Sequence, residues 1–138
     1  MELNYQEMIE RRNKKNLFAA HIGLKITEMT EGYAVTRLKI QPEFRNPVGS
    51  IHGGVLFSAA DSACGAAAHS YGRAVTTVDS HFHYLNAGLA DSTEIKATAH
   101  MVKAGKKLNV IDCDVEDQNG KLLCHGTFTY YVLENMEW

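Results

Sequence analysis

The sequence predicts an α+β domain in which one antiparallel sheet surrounds one long helix. Three observations predict it. Residues 54–70 carry no proline and much alanine, a helical composition in mid-chain. The segments before and after alternate apolar and polar residues at period two. Those segments are joined by short turn signals, which suit antiparallel neighbours.

The elements follow in order. In residues 4–15, Tyr5, Met8, Ile9 and Arg12 recur at helical spacing, so a short amphipathic helix is expected within residues 1–16. From about 18 to 30, Ile22, Leu24 and Ile26 alternate with Gly23, Lys25 and Thr27, a strand pattern. Glu31-Gly32 reads as a turn, and YAVTRLKI (33–40) as the hairpin partner. The helix from Gly54 to Ser70 should span about 25 Å at 1.5 Å per residue. Leu56, Ala59, Ala60, Ala63 and Ala67 form one face of it, and Phe57, Asp61, Cys64 and Ala68 another. A helix apolar nearly all round should be buried, and its small side chains let its surroundings approach closely. AVTTVDSHFHYLNA (74–87) is rich in β-branched and aromatic residues. Residues 92–133 alternate well, broken by turn signals at Ala104-Gly105-Lys106 and Asp117-Gln118-Asn119-Gly120. The tally is a short helix, two strands, the long helix and about four more strands.

Length and composition bound the function. A chain of 138 residues suits a single domain, 1–138, and shows no repeat, linker or low-complexity tract. With 45% apolar residues, 22% charged and a formal charge of −2, it has no general pull toward nucleic acid or anionic lipid. Cys64, Cys113 and Cys124 are an odd count without metal spacing, and each lies in an apolar segment. Buried free thiols in a reducing compartment are expected. The start MELNYQEMIERRNKKN lacks the apolar core of a signal peptide, and no apolar run reaches spanning length, so a cytoplasmic protein is expected.

Asp61 raises the functional question. It is the lone ionisable residue from Gly53 to Ala63. A buried ionised carboxylate costs several kcal/mol unless it is paired or hydrogen-bonded. One reading is structural: Asp61 bonds to a nearby serine or amide, or reaches solvent at the helix edge. The other is a carboxylate lining a cleft, its proton affinity raised by desolvation, acting as base or nucleophile. The helix start favours the second. SIHGG (50–54) places Gly53 and Gly54 at the first turn, where N–H groups lack intrahelical partners and the dipole is positive. Without a Cβ there, an oxyanion can approach the backbone. Yet Gly53 and Asp61 are eight residues apart, about 12 Å along a helix. A donor and an attacking group must both lie about 3 Å from one reacting centre. One chain cannot supply both; two antiparallel copies of the helix, side by side, would do so twice.

The stretch N-P-x-G-x-x-H-G-G followed by Asp61, on a buried helix between strands, resembles the hot-dog-fold acyl-CoA thioesterases. HGGVLFSAADSACGAAAHSYG followed by VTTVDSHFHYLNAG is similar to the phenylacetate-degradation group. The likeness covers about residues 18–133 and is most specific over 46–61. It implies a hot-dog fold, with the sheet wrapped around the helix, sheets joined edge to edge in a homodimer, and dimers pairing into a homotetramer. It implies that Asp61 activates water or attacks the thioester, and that the Gly53 N–H of the partner chain holds the oxyanion. By the same resemblance His52 lies near the thioester, Asn46 positions water, and Thr77 stands near the carboxylate. Gly54 is assigned with them to substrate binding. An aromatic or medium-chain acyl-CoA is the implied substrate. No cofactor or metal is expected, CoA being part of the substrate.

Other groups remain. Lys103, Lys106 and Lys107 cluster at a turn and either meet CoA phosphates or are simply solvated; Arg45 and Arg73 are similar candidates. His81 and His83 share a strand face, which could chelate a metal, but no third ligand has clear spacing, so a surface or interface pair is expected. His21, His69, His100 and His125 sit singly and read as structural. Two other functions stay open on the same fold, a non-catalytic acyl-CoA sensor and a hydratase or dehydratase. The carboxylate with Asn46 argues against the first, and the His-Gly-Gly context against the second.

Overall fold

The structure, a computed structural model, describes residues 2–133. Helix α1 (Tyr5–Lys15) and helix α2 (Leu17–Ile22) precede strands β1 (Lys25–Thr30) and β2 (Tyr33–Lys39). After a 3-10 turn at Pro42–Phe44 comes the long helix α3 (Gly53–His69). Four strands complete the chain: β3 (Val75–Tyr84), β4 (Glu94–Ala104), β5 (Leu108–Asp117) and β6 (Leu122–Val132).

The expected strand over 18–30 is corrected in its first half, where residues 17–22 are helical. Asn16 accepts a hydrogen bond from the Ala19 N–H at 3.1 Å, an N-cap. Gly23, at φ 82°, closes the helix by donating to the carbonyls of Ala19 and Ala20. A six-residue helix with a cap at each end leaves too few residues for its own period to show beside the alternation of Leu24 and Ile26, which are buried as expected.

All six strands form one sheet in the order β1-β2-β4-β5-β6-β3, antiparallel throughout. The β4–β5 and β5–β6 hairpins turn where the sequence signals them. β3 does not pair with its sequence neighbour β4; it crosses to the far edge beside β6. There Gly126 makes room for it, since a Cβ would stand 2.6 Å from Phe82 Cδ1 and 2.8 Å from the His81 carbonyl oxygen.

The sheet curls around α3. Ala59, Ala60, Ala63, Ala66, Ala67 and Ala68 are fully buried against it, and short side chains let the strands come close. Thr36 of β2, also buried, donates to the Ala59 carbonyl at 2.8 Å. Phe57 of α3 packs on Phe82 and Phe128 with ring centroids 5.4 and 5.3 Å away. Such a core excludes water from the helix's inner face.

Burial of α3 is nevertheless not all round. Residues 63–69 are buried, but Gly54, Ser58, Asp61 and Ser62 form a stripe open to solvent in whole or part. The edge strand β3 is likewise mostly exposed despite its apolar content, with Val78 and Tyr84 each 56% exposed.

Candidate active site

Asp61 lies midway along that open stripe. Its Oδ1 accepts the Thr77 hydroxyl at 2.8 Å. Thr77 reaches it from β3, just before a bulge between Thr77 and Asp79 that bends the edge strand. The Tyr130 phenol, from β6, also donates to Oδ1, and its oxygen lies 2.5 Å from the Asp61 carbonyl oxygen. In the sheet Thr77 stands opposite Tyr130, and Tyr130 opposite Asn109 of β5. The three make a polar row under the helix. Asn109 is fully buried, and neither end of its amide meets a hydrogen-bond partner among the described residues.

Arg12 brings a positive charge to the same place. Asn13 pins α1 to β1, donating to the Ile26 carbonyl at 3.0 Å and accepting its N–H at 2.9 Å. That anchors Arg12 over Gly65, one turn beyond Asp61. A Cβ on Gly65 would stand 2.6 Å from Arg12 Nη2 and 3.4 Å from the Tyr130 ring. Burial holds the guanidinium below its ordinary pKa, while electrostatic interaction with Tyr130 and Asp61 acts to raise it. Burial pushes the Tyr130 phenol well above its usual range, and the Asp61 charge adds to the shift. Tyr130 therefore remains a donor at any working pH. Cys64, three residues after Asp61, is likewise raised well above its ordinary value by burial and by Cys113 beside it.

The helix start forms a second cluster. His52 is the N-cap of α3; its Nδ1 accepts the Gly54 N–H at 2.9 Å. Two open amides were expected here. The structure leaves one, because the cap occupies Gly54, whereas the Gly53 N–H meets no acceptor among the described residues. Tyr84 lies across Gly53 and donates to its carbonyl at 3.0 Å; a Cβ on Gly53 would be 3.2 Å from the Tyr84 ring. A cleft of about 310 Å³ opens beside Gly53, lined by Asn46, Ser50, Ile51, Leu56 and Tyr84 among others. The Asn46 side chain is engaged within its own loop. It donates to Ser50 Oγ at 2.8 Å and accepts from the Val48 and Ser50 N–H groups at 3.1 Å each.

Of the residues singled out in the sequence, then, Asp61 and Thr77 meet directly, while Asn46, His52, Gly53 and Gly54 gather at the other cluster. Sequence reasoning missed Tyr130, Arg12 and Asn109. Tyr130 follows the strand period of the core and carries no local signal. Arg12 did carry one, a charge on the apolar stripe of its helix.

Lys103, Lys106 and Lys107 are exposed around the β4–β5 turn. Arg73 approaches the same turn, 3.4 Å from the Lys106 carbonyl and 3.5 Å from that of Gly105. Arg45 is not a phosphate candidate: its guanidinium is bonded to the carbonyls of Gly49, Gly88, Leu89 and Ser92, which ties two loops together. His81 and His83 are exposed, opposite Thr127 and His125. Among the described residues no group of three or more His, Cys, Asp and Glu is placed to hold a metal ion. No described helix is long and apolar enough to cross a membrane.

A sheet wrapped around one helix, with a carboxylate on the helix's open stripe and a glycine amide at its start, defines a hot-dog thioesterase. The thioesterase superfamily model matches residues 48–124, and the chain belongs to that family of thioester hydrolases. Among individual relatives, it is 35% identical over 103 residues to acyl-coenzyme A thioesterase PaaI of Escherichia coli K12, covering 75% of this chain and 73% of that protein. The solved structure of E. coli PaaI, from the phenylacetic acid degradation operon, superposes with a TM-score of 0.90 at 27% identity, over 97% of this chain and 96% of that one. A thioesterase protein of Streptococcus pneumoniae TIGR4, solved with coenzyme A, gives a TM-score of 0.80 at 28% identity, over 91% and 96%. Arg12, Asn46 and Tyr130 lie outside the residues the family model matches.

Proposed function

We propose that this chain is an acyl-CoA thioesterase that hydrolyses aromatic or medium-chain acyl-CoA at a site shared between two copies. The observation that carries this reading is the Asp61 carboxylate, held by Thr77 and Tyr130 on an open stripe of an otherwise apolar helix. That opening lets water reach the carboxylate. The names of the E. coli and S. pneumoniae relatives supply the CoA thioester, and the operon of the former supports a phenylacetate-type acyl group.

The mechanism follows from charge. Water adds its oxygen to the acyl carbon and the C–S bond breaks; Asp61 takes the water proton, which ends on the CoA thiolate. The thiolate leaves readily, so no strong acid is needed. Negative charge grows on the carbonyl oxygen and requires a donor. The Gly53 N–H, at the positive end of α3 and without an acceptor among the described residues, suits that role. Because Gly53 and Asp61 of one chain are about 12 Å apart along the helix, the donor comes from a second copy whose α3 runs antiparallel. The open stripe at Gly54, Ser58 and Ser62 and the exposed edge β3 support such pairing, with dimers associating further into a tetramer. Asn46 and His52 of the donor copy flank the thioester. Lys103, Lys106 and Lys107, with Arg73, face the CoA phosphates. The protein acts in the cytoplasm.

The test is thiol release from a panel of acyl-CoAs, aryl and straight-chain. Turnover on aryl or medium-chain members supports the reading. Binding without thiol release favours a sensor, and hydration of an enoyl-CoA a hydratase.

A further inference from the structure

The observations at Asp61 go beyond a lone base. Both side-chain donors, the Thr77 hydroxyl and the Tyr130 phenol, converge on Oδ1, while Oδ2 meets no donor among the described residues. A carboxylate oxygen has two lone-pair sites, so Oδ1 is saturated and Oδ2 is left for a third group. Tyr130 also lies 2.5 Å from the Asp61 carbonyl oxygen; it spans the backbone and the side chain of one residue and fixes the torsions between them. It does so from β6, whose neighbours on both sides, β5 and β3, hold it rigid. A group set on a paired strand positions its target more narrowly than one on a loop. Behind it lies the Arg12 guanidinium, over Gly65 and coupled in charge to both Tyr130 and Asp61.

We propose that Tyr130 is a positioning residue of this site: with Thr77 it clamps Asp61 Oδ1, so that Oδ2 is the oxygen that takes the proton from water, and Arg12 supports the arrangement with positive charge from α1. The inference rests on the reading of Asp61 as the reacting carboxylate. It gives the N-terminal helix, outside the stretch that matches the family model, and the last strand, most of which lies beyond it, a part in the chemistry. The groups that face the carboxylate are Tyr130 from β6, Thr77 from β3, Arg12 from α1 and Cys64 from its own helix.

The experiment is Tyr130→Phe in the full chain, with wild type alongside, assayed by thiol release over a range of substrate concentrations. Loss of the donor should lower kcat roughly 10- to 100-fold, the range for a hydrogen bond to a charged group. KM should stay within about threefold, because the phenol does not touch substrate. A folded Tyr130→Phe with wild-type kcat overturns the inference and leaves the thioesterase reading standing. A wild type that releases no thiol from any acyl-CoA overturns both. Should Tyr130→Phe fail to fold, Arg12→Met decides. A lowered kcat at unchanged KM, in an Arg12→Met that melts no lower than wild type, supports the arrangement; wild-type kcat overturns it.

Discussion

Asp61→Asn isolates the charge from the shape. Asparagine keeps an oxygen where Tyr130 and Thr77 donate to Oδ1. Its amide nitrogen replaces Oδ2, which meets no donor among the described residues to clash with. What is lost is a base. Positioned general bases contribute about 10²- to 10⁴-fold, or roughly 3–5 kcal/mol at 1.36 kcal/mol per decade. The fold loses less. Two hydrogen bonds become neutral instead of charge-assisted, a weakening of about 1 kcal/mol each. A domain of this size then melts roughly 6–8 °C lower and stays folded at assay temperature. The expected variant is thus a folded protein with below about 1% of wild-type kcat. Thiol release is read with a chromogenic disulfide. Native background should be near zero, since all three cysteines are buried and burial pushes the Cys124 thiol up to about 12. A folded Asp61→Asn that keeps more than a tenth of wild-type kcat refutes the carboxylate as base.

Three further outcomes follow from the geometry. Gly53→Ala should change stability by less than about 1 kcal/mol, because the exposed Tyr84 ring can yield to a Cβ 3.2 Å away; kcat should fall roughly 10- to 100-fold as the methyl crowds the amide, and kinetics with a melt separate the two effects. Asn109→Leu replaces a buried amide that has no partner among the described residues, so denaturant unfolding should show a gain of about 1–3 kcal/mol; a loss would mean the amide is satisfied. Burial opposes charge on Asp117, but hydrogen bonds from Ser92 and from the backbone of Lys121 and Asn119 outweigh it and hold the carboxyl below its usual range. The unfolded chain therefore takes up that proton first: the stabilisation is complete above about pH 4 and disappears as pH falls through the native value. Asp117→Asn should be less stable at neutral pH and flatter below about pH 4 in denaturant midpoints.

The sequence by itself determined what is local. The alanine-rich composition of 54–70 announced the helix, period-two alternation announced the strands, and Asn-Gly and Gly-Lys signals announced the hairpins. The lone carboxylate and the paired glycines on one helix marked the candidate site, because a charge among apolar residues is costly unless it is paired or reaches solvent. The short helix at 17–22 escaped, since two capping residues there outweigh a few alternating side chains. Only the tertiary structure decided which distant residues meet. β3 crosses to the far edge beside β6, and that placement lays Thr77 and Tyr130 on Asp61, the latter 69 residues away in the chain. α1 folds back to set Arg12 beside them. Such meetings depend on strand order and on the close approach that Gly65 and Gly126 permit, and no periodicity within a single segment encodes the neighbour that another segment will bring.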